Sequence, residues 1–412
     1  MNDLSFKSSF PRIRFNGFDD MWQRIKLSDI SVKVIEKNVK NDFDIVLTNS
    51  AEFGIIPQRD FFDKDIANLK SLNGYYVVQP NDFVYNPRIS NKAPVGPIKA
   101  NFLNTTGVMS PLYYVFRTQN IDVFFLAKYF DSSYWHKFMK LNGDTGARSD
   151  RFAIKDSVFK EMPIPFPTHP EQSAIGTLFR TLDDLLASYK DNLTNYQSLK
   201  ATMLSKMFPK AGQTVPEIRL DGFEGEWELI KLGEVCDLIT KGTTAKSQSE
   251  QGKVNFIKVE NLKDNEIYSV VKISEEEHLG SLKRSILFEG DILFSIAGTL
   301  GRTAIVRNNV LPANTNQALA IIRGYKLDAY FLLVVLSGEV VKDYIRKNPT
   351  VGAQPNLSLE QVSSLNIQAP SIEEQQAIGT YFSNLDNLIN SHQEKISQLE
   401  TLKKKLLQDM FI

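Results

Sequence analysis

A chain of 412 residues exceeds what one hydrophobic core ordinarily serves, so two domains joined by connectors are expected. Its 42% hydrophobic and 23% charged content is that of a globular protein, and Lys+Arg balance Asp+Glu at 48 each, so bulk charge gives no footprint for nucleic acid. The single cysteine, Cys236, excludes an internal disulfide and any multi-cysteine metal site.

The opening residues lack the apolar core of a secretion signal, and no window approaches the ~18 uncharged apolar residues of a membrane span. The expected compartment is the cytoplasm, where the sequon-like Asn104-Thr105-Thr106 carries no meaning. Pro11-Arg12-Ile13-Arg14-Phe15-Asn16-Gly17-Phe18 returns as Pro216-Glu217-Ile218-Arg219-Leu220-Asp221-Gly222-Phe223, and Trp22 with Ile25-Lys26-Leu27 returns as Trp227 with Ile230-Lys231-Leu232. Tyr75–Val78 and Asp82–Tyr85 read as two strands, answered by Ile286–Phe288 and Asp291–Phe294. A third strand at Tyr113–Arg117 matches Leu319–Arg323, and each is followed by a helical stretch opening near Asp122 or Asp328. Gly146-Ala147-Arg148 and Gly352-Ala353-Gln354 follow at matching places. Met162–Pro167 is an extended, proline-stiffened lead into what comes next.

What comes next, residues 168–208, returns as residues 371–411. Between 171–208 and 374–411, 16 of 38 positions are identical at an offset of 203. Thr168 with Glu171, and Ser371 with Glu374, have the spacing of a capping box. Apolar residues then recur at steps of four and three: Ile175, Phe179, Leu182, Leu186, Tyr189, Leu193, Tyr196, Lys200, Met203 and Met207, against Ile378, Phe382, Leu385, Ile389, His392, Ile396, Leu399, Lys403, Leu406 and Met410. A 3.5-residue period held for five heptads is a coiled-coil seam, interrupted by lysine at the same place in both copies. At ~1.5 Å per residue each helix reaches roughly 57 Å. The chain thus reads as one module, a head followed by a rod, written twice. Loops have lengthened and shortened between the copies while the framework stayed, so two related heads should bind different targets.

No active site is legible. Gly242-Thr243-Thr244-Ala245-Lys246-Ser247 is too short for a phosphate loop and lacks the glycine before lysine. Tyr85-Asn86-Pro87-Arg88 bears only a faint likeness to an amino-methyltransferase motif. His136, His169, His278 and His392 are scattered, with no metal-ligand spacing. Lys403-Lys404-Lys405 reads as a solvated helix end. The polar loops instead suit base edges and phosphates. In the first head these are Tyr85, Asn86, Arg88, Ser90, Asn91 and Lys92, with Arg148 and Arg151. In the second they are Lys241, Thr243, Thr244 and Lys246; Ser295, Thr299, Arg302 and Thr303; Asn314, Thr315, Asn316 and Gln317; and Gln354. Arginine and lysine pair with guanine O6/N7, asparagine and glutamine with adenine, and hydroxyls with either or with phosphate.

Taken together, Pro216–Trp227, Val351-Gly352-Ala353-Gln354-Pro355-Asn356-Leu357-Ser358, Pro370-Ser371-Ile372-Glu373-Glu374-Gln375-Gln376-Ala377-Ile378-Gly379 and the Leu385-Asp386 step resemble the DNA-specificity subunit of Type I restriction-modification systems. The resemblance implies an α+β fold: target-recognition domains at 1–167 and 209–370, with spacer helices at 168–208 and 371–412 packed antiparallel about a pseudo-two-fold axis. Each head would read one half of a split double-stranded DNA target, and half-sites one to two turns apart are expected. It further implies a subunit without catalysis or cofactor of its own. Two methyltransferase subunits would supply S-adenosylmethionine and flip the target adenine. Restriction subunits would supply ATP and magnesium. Gly146-Ala147-Arg148-Ser149-Asp150 departs from the fuller stretch in the second head. The competing reading is a coiled-coil scaffold whose heads bind protein or carbohydrate, which leaves the Arg/Asn/Gln/Thr-rich loops without explanation.

Overall fold

The computed structural model describes residues 10–61, 69–145, 150–210, 212–246, 252–268, 270–348 and 356–412. These divide into two compact units, one drawn from residues 1–190 and 394–412, the other from 191–393. Each unit therefore contains one head and a helical segment contributed by the other half of the chain.

In the first unit, Ser31–Lys33, Tyr114–Thr118, Phe83–Tyr85 and Ile98–Ala100 form an antiparallel four-stranded sheet in that order. Side chains alternate across a strand, and both faces here are covered. Val84 and Val115 join a cluster with Leu47, Val78 and Met109. Phe83, Tyr85 and Phe116 face the opposite way into the main core. The register opposes Phe83 to Phe116, whose rings stack at 5.3 Å. Gln23–Lys26 pairs with Pro163–Phe166 in a separate two-stranded ribbon. The proline-stiffened lead is thus itself a strand, and in so short a ribbon its two prolines displace no central ladder.

The second unit repeats the sheet: Cys236–Lys241, Leu319–Tyr325, Ile292–Ser295 and Thr303–Ile305, again antiparallel and in the corresponding order. Arg323 clamps Asp291 with bonds of 2.7 and 2.6 Å, as Arg117 clamps Asp82 with 2.7 and 2.9 Å in the first unit. The satellite differs, being a three-stranded sheet of Val271–Ile273, Val254–Ile257 and Ala313–Thr315 whose second pairing is parallel. Ile286–Phe288 is not a strand. Ile286 makes one isolated bridge to Asn314, and Phe288 lies exposed under the Arg323 guanidinium at 4.2 Å.

Helices α1 (Val123–Asp131) and α3 (Ala329–Ser337) begin on the aspartates read as helix starts: Asp122 accepts from the Phe125 amide, and Asp328 from those of Tyr330 and Phe331. Helices α2 (His169–Lys206) and α4 (Ile372–Asp409) each run 38 residues. All ten seam positions on each are buried or half-buried, including Leu193 and Ile396, whereas Leu185, Leu388 and Leu402 off the seam are exposed. In the first unit Asp183 meets Lys403 and Lys190 meets Glu400, so rising numbers on α2 face falling numbers on α4. In the second, Lys200 pairs with Asp386 and Tyr196 packs on His392 in the same antiparallel sense. Every seam lysine thus has a carboxylate partner, which explains why both copies tolerate it.

The glutamates expected in capping boxes act otherwise. Glu171, fully buried, accepts from Arg14 Nε (2.6 Å) and Nη2 (2.7 Å). Glu374 accepts likewise from Arg219. Among the described residues Ser371 alone keeps part of the box, accepting from the Glu374 amide at 3.4 Å. A guanidinium offers two parallel charge-assisted bonds where the cap amide offers one, so the arginine wins. Each unit also holds an aromatic cluster closed by a phenylalanine just past the end of the far helix. Trp22, Phe125, Phe179 and Phe411 meet at 5.6–6.5 Å in the first unit. Trp227, Phe331, Phe382 and Phe208 meet at 5.9–6.0 Å in the second.

Candidate nucleic-acid interface

In the first unit the polar loops converge. The backbone zips residues 87–89 to 150–152: Ile89 N–H donates to Asp150 O (3.0 Å) and Phe152 N–H to Pro87 O (2.8 Å). Arg88 and Arg151 are thereby directly opposed. They line a groove of about 730 Å³ together with Asn86, Ser90, Asn91 and Lys92, all named from sequence. Only three of these carry charge. Lys92 pairs with Glu52 at 2.7 Å, and Arg88 lies 3.9 Å from Asp150. Asn86 holds the loop in place, donating to Asn49 O and accepting from the Arg88 amide, both at 2.9 Å. Ser90 accepts from the Ala93 amide.

Tyr85 is a correction. It is 4% exposed, donates its hydroxyl to Val95 O and stacks on Phe159, so it belongs to the core. Burial pushes its phenol well above the ordinary tyrosine range. Arg148 and Gln354 lie outside the described residues. Sequence reasoning missed the opposite wall of the groove, Thr48, Asn49 and Ser50 on a hairpin with Gly54–Pro57. The available signal was a run of three polar residues inside a strand pattern.

In the second unit two polar groups form. Lys241 ends its strand, and Gly242 follows because a Cβ there would sit 2.1 Å from Asn316 O and 2.2 Å from Thr315 O. That close approach lets Thr243 N–H reach Thr315 O at 3.0 Å and Thr244 Oγ1 donate to Gln317 Oε1 at 2.7 Å. Lys241, Thr244, Lys246 and Gln317 are exposed there, with Asn316 half-buried. The other group is tied inward. Ser295 is fully buried, donating to Thr299 O and accepting from the Arg302 amide. Arg302 itself donates to Val259 O and Leu262 O, each at 3.2 Å, and Thr303 to Asn265. Ser295, Thr303, Asn314 and Thr315 are therefore framework, not contact residues; Asn314 bonds His278 and Leu282 O, and Thr315 bonds Ile257 O. Arg302 and the exposed Thr299 stay at the surface, and Arg302 lines a smaller concavity of about 390 Å³ with Lys200, Lys263 and Asn265. Among the described residues no helix is long and apolar enough to cross a membrane.

The two units thus share a framework of sheet order, clamp and aromatic junction and differ in their polar loops. Residues 224–401 match the family model described as the Type I restriction modification DNA specificity domain. The chain is 23% identical over 401 residues to the MjaVIII specificity subunit of Methanocaldococcus jannaschii, spanning 94% of this chain and 91% of that one. It is 29% identical over 285 residues to the EcoBI specificity subunit of Escherichia coli, covering 63% and 59%. A solved Type I restriction-modification S subunit from M. genitalium shares the fold with a TM-score of 0.62 at 16% identity, over 98% of this chain and 99% of that one. Over nearly its whole length the chain is thus similar to specificity subunits of Type I restriction enzymes.

Proposed function

We propose that this chain is the DNA-reading, non-catalytic subunit of a Type I restriction-modification complex. The observation that carries the reading is duplication with divergence: the same sheet order, Arg–Glu clamp and aromatic junction recur in both units, while the loops beside them differ. A molecule so built reads two different half-sites with two homologous heads, residues 1–167 and 209–370. Helices α2 and α4 act as an antiparallel coiled-coil spacer, the product of a pseudo-two-fold internal repeat, and offer the docking surface for two methyltransferase subunits. Those partners hold S-adenosylmethionine and carry out methyl transfer; restriction subunits, where present, hold ATP and magnesium. Contacts from Arg88, Lys92 and Arg151 in the first head fix and read DNA, as do Lys241, Thr244, Lys246, Arg302, Asn316 and Gln317 in the second.

Base-resolution mapping of methylated adenines, in cells carrying the methyltransferase partner with and without this chain, tests the proposal. A split motif that depends on the chain is expected. Methylation by the purified chain alone, or by the complex without regard to sequence, would overturn it.

A further inference from the structure

The same turn leads into Tyr114–Thr118 in the first unit and into Leu319–Tyr325 in the second. In the first, Ser110 O accepts from the Tyr113 amide at 3.1 Å, and Ser110 Oγ from the Leu112 amide at 3.4 Å. In the second, Asn316 O accepts from the Leu319 amide and Asn316 Oδ1 from the Ala318 amide, both at 3.2 Å. The brace is kept while both tip residues change, from Gln317-Ala318 in the second head to Pro111-Leu112 in the first. The second head exposes a polar side chain there, Gln317. The first presets the turn with Pro111 and carries Leu112 at 61% exposure.

A lone exposed leucine is ordinary, but the place of this one is not. Leu112 lines the groove that holds Arg88, Lys92 and Arg151, and also a second concavity of about 740 Å³ with Tyr76 and Tyr114. It stands on the wall the two hollows share, at a turn tip where asparagine, aspartate or glycine is the usual choice. A leucine side chain has no donor or acceptor, so it can neither hold a phosphate nor pair with a polar base edge. The apolar group on a major-groove edge is the thymine C5 methyl. We infer that Leu112 reads a thymine methyl in the half-site of the first head, as the apolar counterpart of the polar tip at Gln317. The inference rests on the DNA-reading function proposed above and makes this turn a specificity-determining place in both heads.

The test begins from the split motif methylated by the complex of this chain with its methyltransferase subunit. Duplexes with uracil in place of each thymine of that motif, one at a time, remove the methyl and nothing else. Their binding is measured for the wild-type and Leu112→Ala complexes. One uracil is expected to weaken the wild-type complex by about fourfold, the worth of one buried methyl-sized group. Leu112→Ala is expected to bind thymine and uracil equally at that position and to leave the other half-site intact. The uracil series on the unaltered protein decides the matter even where the variant folds poorly. No uracil effect at any position, or an effect that persists in Leu112→Ala, overturns the inference while leaving the function standing. So does a uniform loss across all sequences, the mark of a wedge between base steps, or a loss of assembly with the methyltransferase, the mark of a protein contact. A wild-type complex with no split motif sinks the function itself.

Discussion

Arg219 grips Glu374 by two parallel bonds, Nε to Oε1 at 2.8 Å and Nη2 to Oε2 at 2.7 Å, and also donates to the carbonyls of Glu224 and Gly225. The Pro-Glu-Ile-Arg-Leu-Asp-Gly-Phe opening of the head and the Ser-Ile-Glu-Glu-Gln start of the helix are thus two halves of one joint. Gln375 adds to it, accepting from the Asp328 amide at 3.0 Å and donating to Pro370 O at 2.8 Å. Removing one partner of a buried pair leaves the other charge uncompensated, at a cost of about 3 kcal/mol or more. Arg219→Met is expected to lower the unfolding midpoint of the second unit well beyond what Lys210→Met does at the exposed pair with Glu217. Chemical denaturation followed by tryptophan fluorescence checks this, since Trp227 sits in the adjoining cluster. Equal midpoints for the two variants would show that the joint adds nothing.

The seam lysines set register. Lys200 answers Asp386, which also accepts from the Tyr330 hydroxyl at 2.6 Å; Lys403 answers Asp183, which also accepts from Lys128 at 2.7 Å. A half-buried polar pair on an apolar seam favours one alignment over slipped ones. Lys200→Ala should destabilise by about 2 kcal/mol or more, and Lys200→Asp with Asp386→Lys should recover part of the loss. A double-mutant cycle on the unfolding free energy gives the coupling, and a coupling near zero would remove the pair's role.

Asp131 provides a pH signature. Burial opposes its ionisation, but Lys99 at 2.6 Å and Lys128 at 2.9 Å outweigh that and hold the carboxyl at about 2. Its folded value lies below the unfolded value near 4, so its contribution is full above pH ~4 and is lost as the pH falls toward 2. The shift corresponds to about 2 kcal/mol. Asp131→Asn should flatten the acid limb of the first unit's stability in that window; an unchanged acid limb would refute the assignment.

The framework was legible because its signals are local and repeated. Apolar periodicity marked α2 and α4, and Asp122 and Asp328 announced their helices through cap chemistry that needs no tertiary partner. The failures have tertiary causes. Glu171 and Glu374 sit at capping-box spacing, yet a guanidinium more than 150 residues away competes better than the local amide. Tyr85 shares a strand face with Phe83, so alternation placed it in the core, and a loop-based reading ignored the period. Asn49 had no chemical flag, since its importance comes from Asn86 and Arg88 arriving beside it from a distant loop.

Gly379 faces the start of α3 so closely that a Cβ would stand 2.3 Å from Asp328 Oδ1, the cap of that helix; Gly176 repeats this at 2.8 Å from Asp122 Oδ1. Alanine is worth about 1 kcal/mol more than glycine within a helix, so on propensity alone Gly379→Ala would stabilise α4. Displacing the cap costs about 1 kcal/mol, and forcing the helices apart against Phe331 and Phe382 adds more. The expected net effect is destabilisation, with a lower thermal midpoint. A midpoint at or above wild type would mean that the junction yields freely.

Gln317 tests the second head. Its amide lies 2.7 Å from the Thr244 hydroxyl, which holds the side chain at an exposed position. Under the DNA-reading function proposed above, an amide so held would pair with a base edge, whereas Lys241 and Lys246 at the neighbouring loop would supply charge to phosphates. Gln317→Ala should relax one position of the second half-site and leave the first untouched. Lys241→Ala with Lys246→Ala should weaken binding across all sequences and reduce the salt dependence by up to two phosphate contacts. Methylation mapping and salt-titrated binding of the assembled complex separate the two roles. If Gln317→Ala weakened every site alike, the amide would be a loop brace and not a reader.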